Sequence, residues 1–324
     1  MKIAFPASAN SFYGTDISTF KLADALSKIL GFECKFLFVD GLPNQNYLRS
    51  LVYCFPHVSF EVNQVFDDPV RLKAYIDSNS FDHFYFQLGT QSIPDLYKPI
   101  GPKLLVHCVA QTEPIEGMKF AYTAKWLSDS ITSGIAPFVP YIVELPNHEL
   151  DLRPQLNIPD SSVVFGRIGG AYSWNIRFVD KEIGDYCRHN PKIYFVFVNT
   201  PRLMPYMNVP NAIFIGPIIH DENLKRAFIN TCDAMIHARS EGETFGLACG
   251  EFVYCGKPVI TYEHSPEKAH LEMLGDYALT YSSPDTLKCA LSVASLRKKR
   301  YTHSFYLECT ESYVVKKFSN WLMT

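Results

Sequence analysis

Residues 233–263 constrain the fold most, because they read as a buried strand, a polar loop, a helix and a second strand. The apolar run 234–238 is typical of a strand inside a parallel sheet. A polar loop follows, and residues 245–254 place apolar side chains at helical spacing. Gly256 ends this predicted helix, and residues 259–262 begin the next strand. The pattern predicts a βαβ unit.

Two glutamates flank the start of this helix. Glu243 stands just before it and Glu251 lies two turns into it, so both can lie on one side of the helix. The first N–H groups of a helix have no partner within it and attract phosphate or polarised hydroxyls. Such a site suits a nucleotide sugar, which has hydroxyls on both sides of a diphosphate. An ordinary βαβ unit with a cap glutamate and an exposed glutamate is the alternative.

The motif resembles the Glu-x7-Glu signature of retaining glycosyltransferases of the GT-B fold, family 4. Phe245, Gly246 and Leu247 follow the first glutamate as in that family, and Gly-Lys-Pro-Val-Ile at 256–260 leads into the next strand. The resemblance implies an α/β fold of two Rossmann-like parallel-sheet domains facing a cleft, with a C-terminal helix that crosses back to the first domain. It also implies an enzyme of glycan biosynthesis. This enzyme would move a sugar from a UDP- or GDP-sugar to a saccharide or other hydroxyl acceptor, with retention of anomeric configuration.

The length of the chain supports two domains. It has 324 residues, more than one hydrophobic core usually serves, and its 47% hydrophobic and 19% charged residues are typical of a globular protein. Prolines interrupt the polar stretch 137–160, where we expect the connection between domains. The predicted boundaries are 1–146 for an N-terminal domain on the acceptor side, 147–300 for the donor domain and 301–324 for the final helix, which packs back on the first domain.

Two candidate residues lie in the first half of the chain. Residues 2–7 predict a strand, and the glycine-bearing loop after it matches neither a dinucleotide fingerprint nor a P-loop. In the resembled family this loop approaches the donor diphosphate or the acceptor, which makes Gly14 a candidate, with a plain turn as the alternative. His107 lies in the apolar run 103–109. It is either a core histidine or, as the resemblance implies, a group close to the donor sugar.

Arg167 is the candidate diphosphate ligand in the second half. It stands where a strand runs into a glycine-rich turn, and a guanidinium suits a diphosphate. A plain loop charge is the alternative. The family usually adds a lysine five residues later, but Tyr172 occupies that position here. Arg177 or Lys181 could replace this lysine, or no residue does.

The resemblance assigns the remaining roles. Glu243 and the N–H groups of Phe245, Gly246 and Leu247 hold donor-sugar hydroxyls and phosphate, and Glu251 holds the ribose hydroxyls. Positive groups aimed at the departing diphosphate stabilise the transition state more than the ground state, which can substitute for a metal ion.

No metal is expected at this site. No Asp-x-Asp motif stands in a matching context, since the acidic pair 67–68 precedes Pro69 and indicates a helix cap. The only cofactor-like group we expect is therefore the nucleotide diphosphate sugar itself, bound as donor substrate.

Charge and cysteine content exclude several classes of protein. A net charge of −3 gives no global attraction for nucleic acid. The basic run Arg297–Arg300 is either a solvated surface or a peripheral contact with a membrane or acceptor. The nine cysteines form no Cys-x2-Cys pair and no disulfide-like framework, which favours reduced thiols in the cytoplasm. No run reaches the ~18 apolar residues of a membrane span.

Two alternatives to glycosyl transfer remain. Another GT-B enzyme, such as a nucleotide-sugar epimerase, would need extra acid and base groups around the sugar. A phosphorylase would need a lysine for pyridoxal phosphate, for which there is no signature. A non-catalytic nucleotide-sugar-binding protein could use the same scaffold, but it would tolerate loss of Glu243 or Arg167, and both are present.

Overall fold

A computed structural model describes most of the chain and divides it into two compact units. The first unit comprises Met1–Ile142 and Cys309–Thr324, and the second comprises Val143–Glu308. The basic run Arg297–Arg300 lies outside the described residues. The residues that the structure describes are 1–9, 14–89, 92–201, 208–218, 221–296 and 301–324.

The first unit alternates strands with helices around one six-stranded parallel sheet. Its strands are β1 (Lys2–Ala7), β2 (Glu33–Phe38), β3 (Ser59–Glu61), β4 (His83–Leu88), β5 (Leu104–Cys108) and β6 (Lys119–Tyr122). Its first helices are α1 (Gly14–Leu30), α2 (Gln45–Cys54), α3 (Pro69–Ser78) and α4 (Lys125–Thr132), with a 3₁₀ segment over Lys98–Lys103.

The second unit repeats this alternation. Its strands are β7 (Val163–Arg167), β8 (Ile193–Val198), β9 (Ala212–Ile215), β10 (Ala234–Ile236), β11 (Gly242–Glu243), β12 (Val259–Tyr262), β13 (Glu267–Lys268) and β14 (Ala278–Tyr281). Its helices are α5 (Arg177–His189), α6 (Glu222–Thr231), α7 (Leu247–Tyr254), α8 (Ala269–Leu274) and α9 (Pro284–Ser295), with 3₁₀ turns over Gly275–Tyr277 and Phe305–Glu308. The final helix, α10 (Glu311–Met323), belongs to the first unit.

The two sheets have the same strand order. In the first unit it is β3-β2-β1-β4-β5-β6, and in the second β9-β8-β7-β10-β12-β14. In each sheet the order reverses next to the first strand, between β1 and β4 and between β7 and β10. Open parallel sheets bind ligands at the carboxyl ends of the strands beside such a switch point. The short strands β11 and β13 form a separate parallel pair.

Helix α10 completes the core of the first unit. Its buried side chains belong to the same hydrophobic cluster as Phe5 of β1 and Phe36 of β2; they are Val314, Val315, Phe318 and Trp321. The predicted helix over 301–324 is too long, because Thr310 caps α10 by accepting the backbone N–H of Tyr313. The residues before this cap belong to the second unit.

Helix α3 begins as its sequence predicts. The side chain of Asp68 accepts the backbone N–H of Arg71, and Pro69 occupies the first turn, where its missing N–H costs nothing. The acidic pair 67–68 therefore supplies a helix cap. Within the described residues, no helix has the length and apolar character needed to cross a membrane.

Candidate functional site

The switch point of the second sheet carries a cluster of charged side chains. Arg167 is the last residue of β7, and His237 directly follows β10. Asn175 ties together the loops that follow these two strands, because its backbone N–H donates to the Ala238 carbonyl and its Nδ2 lies 2.9 and 3.0 Å from the carboxylate oxygens of Glu241. The topology thus brings the loop after β7 and the loop after β10 to one place.

Gly242 sets the position of Glu243. Its φ of +79° is a left-handed conformation that favours glycine, and a Cβ there would overlap the backbone oxygen of Glu267. Glycine thus allows β11 to pair with β13, with Glu243 opposite Lys268. The carboxylate of Glu243 remains partly accessible, with 23% of the side chain exposed.

The side chains of His237 and Arg239 hold Glu243 in its ionised form. His237 Nε2 lies 3.2 Å from Oε1, and Arg239 Nη1 lies 2.9 Å from Oε2. Burial acts to raise the pKa of Glu243, but the His237 hydrogen bond and the charges of His237 and Arg239 outweigh it, so the pKa lies below its usual range. Each carboxylate oxygen can accept more than one hydrogen bond, which leaves capacity for ligand hydroxyls.

A chain of hydrogen bonds extends inward from His237. Its Nδ1 lies 2.9 Å from Thr261 Oγ1, which in turn lies 3.1 Å from His270 Nε2. Burial lowers the pKa of His270 to about 3, so this ring is neutral. Because a carboxylate only accepts, His237 must donate its Nε2 proton to Glu243. Sequence reasoning missed His237, Arg239, Thr261 and His270, although the place of His237 directly after a buried strand was a usable signal.

Helix α7 starts later than the sequence predicts. Gly246 is its N-cap, with φ of +81° and no side-chain capping bond, and Leu247 is its first residue. Phe245 is buried, and its carbonyl accepts a hydrogen bond from Tyr306. The left-handed conformation of Gly246 therefore excludes Phe245 from the helix. No side chain caps the first turn, whose residues Leu247 and Ala248 are partly accessible.

Arg167 is buried, with 2% of the residue exposed, and its guanidinium group is hydrogen-bonded to other residues of the second unit. Nη1 donates to Thr200 Oγ1 at 2.7 Å and lies within hydrogen-bond distance of the Val198 carbonyl, while Nη2 donates to the Gly170 carbonyl at 2.6 Å. Burial lowers the pKa of Arg167 to about 10, and the negative charge of Glu243 opposes this shift. Arg167 therefore remains cationic and holds the glycine-rich turn. A phosphate could reach it only by replacing some of these bonds.

Glu251 is buried against a lysine that sequence reasoning missed. Its Oε1 lies 2.6 Å from Nζ of Lys225 in α6, and each side chain is 4% exposed. Burial acts to lower the pKa of Lys225, but the charges of Glu251 and Glu222 outweigh it and raise that pKa. No spacing rule links α6 to α7, so the pairing follows only from the packing of the two helices. Ribose binding by Glu251 stays a prediction.

The other candidates in the second half lie on helix α5. Arg177 is the first residue of α5 and is exposed, and Lys181 is exposed one turn later. Since α5 follows β7, both begin on the side of the sheet where Arg167 lies. Among the described residues, no group of three or more His, Cys, Asp or Glu side chains is placed to hold a metal ion.

His107 lies in the core of the first unit and is fully buried. Its Nε2 donates to the Val139 carbonyl at 2.8 Å, and its Nδ1 accepts a hydrogen bond from Tyr85 Oη at 2.5 Å. Burial lowers the pKa of His107 to about 4, so the ring is neutral at physiological pH. These contacts favour the core interpretation, and proximity to the donor sugar stays a prediction.

A pocket of about 250 Å³ lies at the switch point of the first sheet. It is lined by residues at the ends of β1 and β4 and in the first turns of α1, including Ser8, Asp16 and Gln87. Gly14, the first residue of α1, is exposed two residues before Asp16. Asp16 is the only charged side chain among the described residues that line this pocket.

Comparison with known proteins identifies the architecture. No protein-family model matches the sequence, and no curated protein matches it. Solved structures do match. A glycosyltransferase from Rickettsia africae ESF-5 has a TM-score of 0.66 and 14% identity, covering 98% of this chain and 93% of that chain. Anabaena HepE, solved with UDP and glucose, has a TM-score of 0.66 and 14% identity, covering 100% of both chains.

The shared architecture extends over whole chains. The chain has the GT-B fold. A UDP-GlcNAc 2-epimerase from Neisseria meningitidis, solved with UDP-GlcNAc, is also similar, with a TM-score of 0.61 and 12% identity over 100% of both chains. At these identities the likeness concerns the fold alone. The GT-B prediction is thus confirmed as a fold, and the function has to be argued from the site.

Proposed function

We propose that the protein is a retaining glycosyltransferase that takes its sugar from a nucleotide diphosphate donor, a UDP- or GDP-sugar. The observation that carries the proposal is the position of ionised Glu243 beside the uncapped start of α7, at the switch point of the second sheet. The solved GT-B structures support the donor class, since Anabaena HepE was also solved with UDP-glucose. WaaG, another neighbour, is a glycosyltransferase involved in lipopolysaccharide biosynthesis.

The donor sits on the second unit in this proposal. Glu243 accepts hydroxyls of the donor sugar through lone pairs that His237 and Arg239 leave available. The N–H groups at Phe245, Gly246 and Leu247, around the start of α7, hold a phosphate, and Glu251 holds the ribose. An Arg177 side chain at the start of α5 takes the place of the family's lysine.

The chemical step needs positive charge near the leaving group. The bond between the anomeric carbon and the diphosphate oxygen breaks, a bond to the acceptor oxygen forms, and the acceptor proton leaves with the nucleoside diphosphate. Arg167, Arg239 and the start of α7 stabilise the charge that grows on the diphosphate. Arg167 takes this role by exchanging a bond to its own turn for a phosphate oxygen. With these groups we propose a metal-independent reaction.

The acceptor, a saccharide or other hydroxyl compound, sits on the first unit. Gly14 begins α1 beside the pocket at the switch point of the first sheet. His107 acts behind this pocket by accepting the hydrogen bond of Tyr85, which lines it. In this proposal His107 is a positioning residue.

Epimerisation of a nucleotide sugar is the second candidate, since epimerases share the fold. An epimerase needs acid and base groups on the sugar carbon that it inverts. Product analysis separates the two, because an epimerase converts one nucleotide sugar into another without an acceptor.

The test combines donor binding with turnover. Wild type is screened by thermal shift against UDP-, GDP-, dTDP- and ADP-sugars in EDTA, and transfer or slow donor hydrolysis is then measured. A donor at about 100 times its Kd should stabilise the fold by about 2.7 kcal/mol. Glu243→Gln should lower turnover by about 10²–10³-fold.

Asp185→Asn is the matched control, because it removes one negative charge from an exposed position of α5 in the same unit. Asp185 is 43% exposed, pairs with Arg188 of the same helix and has no proposed role in binding. Its turnover should stay within a few-fold of wild type. If no nucleotide sugar shifts the melting temperature, the donor site is refuted, and binding without turnover supports the non-catalytic binding protein.

A further inference from the structure

The pocket at the switch point of the first sheet does not suit the nucleotide sugar donor in size or in charge. Its volume of about 250 Å³ is below the ~300–1,000 Å³ of pockets for drug-sized ligands. A single sugar ring or a small polyol is the right size for it. A nucleoside diphosphate is larger and strongly anionic.

Side-chain hydroxyl groups line this pocket. Those of Ser8, Thr15 and Tyr97 make no hydrogen bond to any other residue that the structure describes, and all three residues face the pocket. Asp16 adds a half-buried carboxylate beside them. Three hydroxyls and one carboxylate are the groups that hydrogen-bond to a ligand with several hydroxyls.

The charge around the pocket is negative. The pKa of Tyr97 is raised by burial and then by the charges of Asp40 and Asp16, and the same causes raise the pKa of Tyr47 to about 12. No cationic side chain is among the described lining residues, and the neighbouring segments 10–13 and 90–91 contain no charged residue in sequence. Asp16 also lies in the first turn of α1, where it offsets the positive end of the helix.

The floor of the pocket is a neutral network that is already satisfied. Gln87 Nε2 donates to Thr19 Oγ1 at 2.9 Å, and its Oε1 accepts from Tyr141 Oη at 2.9 Å. The Tyr85 hydroxyl, 3.2 Å from Gln87 Nε2, is in turn committed to His107. These bonds fix the floor, so recognition falls to Asp16 and to the hydroxyls of Ser8, Thr15 and Tyr97.

We propose that this pocket binds an uncharged sugar residue, and that Asp16 both accepts its hydroxyls and excludes anionic ligands. That this sugar is the acceptor rests on the proposed glycosyl transfer. The preference for a neutral, hydroxyl-rich ligand rests on the residues of the pocket alone. Asp16 is then the residue that determines specificity. Acceptors with a phosphate or carboxylate at this position are poor substrates.

The test measures binding without any donor. The probes are neutral methyl glucoside, galactoside and mannoside, compared with glucuronate and glucose 6-phosphate, in NMR titrations of the full chain. Wild type should bind at least one neutral probe and bind the anionic probes about tenfold more weakly or not at all. Asp16→Asn should weaken the neutral probe and strengthen the anionic probes, each by about tenfold.

Two further variants guard against indirect effects. Tyr97→Phe keeps the ring contacts with Phe84 and Phe86, removes one hydroxyl, and should weaken the neutral probe several-fold. Asp129→Asn removes the same charge from the exposed surface of α4, where it pairs with Lys125, and should change nothing. The proposal is wrong if Asp16→Asn has the same probe affinities as Asp129→Asn. It is also wrong if wild type binds neutral and anionic probes equally.

Failure of this proposal is distinguishable from failure of the proposed function. Donor turnover in a chain that binds no neutral probe overturns the pocket proposal and leaves glycosyl transfer intact. Selective binding of neutral probes without donor turnover supports the pocket as a sugar site, but the bound sugar is then not an acceptor in glycosyl transfer.

Discussion

The switch points of the two sheets have the same topology but different side-chain chemistry. In the first unit the pocket carries one carboxylate, Asp16, above a neutral network around Gln87. In the second unit the corresponding edge carries Arg167, His237 and ionised Glu243, beside an uncapped helix start. The fold therefore supplies two equivalent places for a ligand, and the side chains decide which kind each can bind.

The buried groups behind the two edges differ in the same way. Tyr85, His107 and Gln87 are linked by neutral hydrogen bonds. In the second unit a full ion pair, Lys225 with Glu251, is buried instead. A neutral network tolerates loss of one member better than an ion pair, because an unpaired buried charge is the most costly defect.

The largest expected effect is on the stability of the second unit. Lys225→Met leaves Glu251 buried without its partner and should lower the free energy of unfolding by about 3–5 kcal/mol. The double variant Lys225→Met with Glu251→Leu should recover most of this loss, since it removes both charges. Urea unfolding followed by fluorescence measures both.

Tyr141→Phe in the first unit is the matched comparison. It removes one neutral bond to Gln87 and should cost about 1–3 kcal/mol. If Lys225→Met and Tyr141→Phe lower the free energy of unfolding equally, the buried ion pair is no more sensitive than the neutral network, and the contrast between the units is wrong. The ligand role of Glu251 is best tested with Glu251→Gln, because glutamine keeps an oxygen that can accept the hydrogen bond of Lys225, whereas alanine removes that oxygen as well as the charge.

The second effect is a loss of stability in acid. His107 is neutral in the folded state because burial lowers its pKa to about 4, whereas an unfolded histidine has a pKa of about 6.5. The folded state binds fewer protons in that interval, so its stability is complete above pH ~6.5 and falls as the pH drops towards 4. The loss from His107 should reach about 3 kcal/mol.

Urea titrations between pH 7.5 and 4.5 measure this loss. His107→Gln should remove most of the pH dependence of the first unit and leave that of the second unit, where His270 has a pKa of about 3 for the same reason. An unchanged pH dependence in His107→Gln would show that other groups take up the protons. The comparison is internal, because His107 belongs to the first unit and His270 to the second. Burial also lowers the pKa of His83 in the first unit, so some pH dependence should remain there in His107→Gln.

Local patterns predicted much of the fold. The βα alternation, the strand and loop before Glu243 and the Asp68 cap follow from hydrophobic period and capping signals, which act within a few residues. Helix starts were less predictable. The final helix begins at Glu311 because Thr310 caps it, although apolar residues continue before that point.

The candidate site was predictable only in part, because its contacts join distant segments. The Glu-x7-Glu spacing singled out Glu243 and Glu251 and placed both on one side of the helix. The structure separates them, since one faces His237 and Arg239 with 23% of its side chain exposed, and the other is buried against Lys225. Spacing along one helix carries no information about which residue of another helix packs against it.

The smallest effect concerns His237, the histidine that the second unit places behind its carboxylate. His237→Leu removes the N–H that Glu243 accepts and should lower kcat/KM for the donor about tenfold, or ~1.4 kcal/mol. His237→Gln can still donate an N–H and should recover part of this loss. Steady-state kinetics with the donor identified by the screen measures both.

The pH profile distinguishes a positioning role from a merely structural one. The hydrogen bond from His237 helps to hold the pKa of Glu243 below its usual range, so its removal should raise that pKa. The acid limb of kcat/KM should therefore move to higher pH in His237→Leu and less in His237→Gln. If the two variants share one unshifted profile, His237 supports packing only, and Glu243 depends on Arg239 for its ionisation.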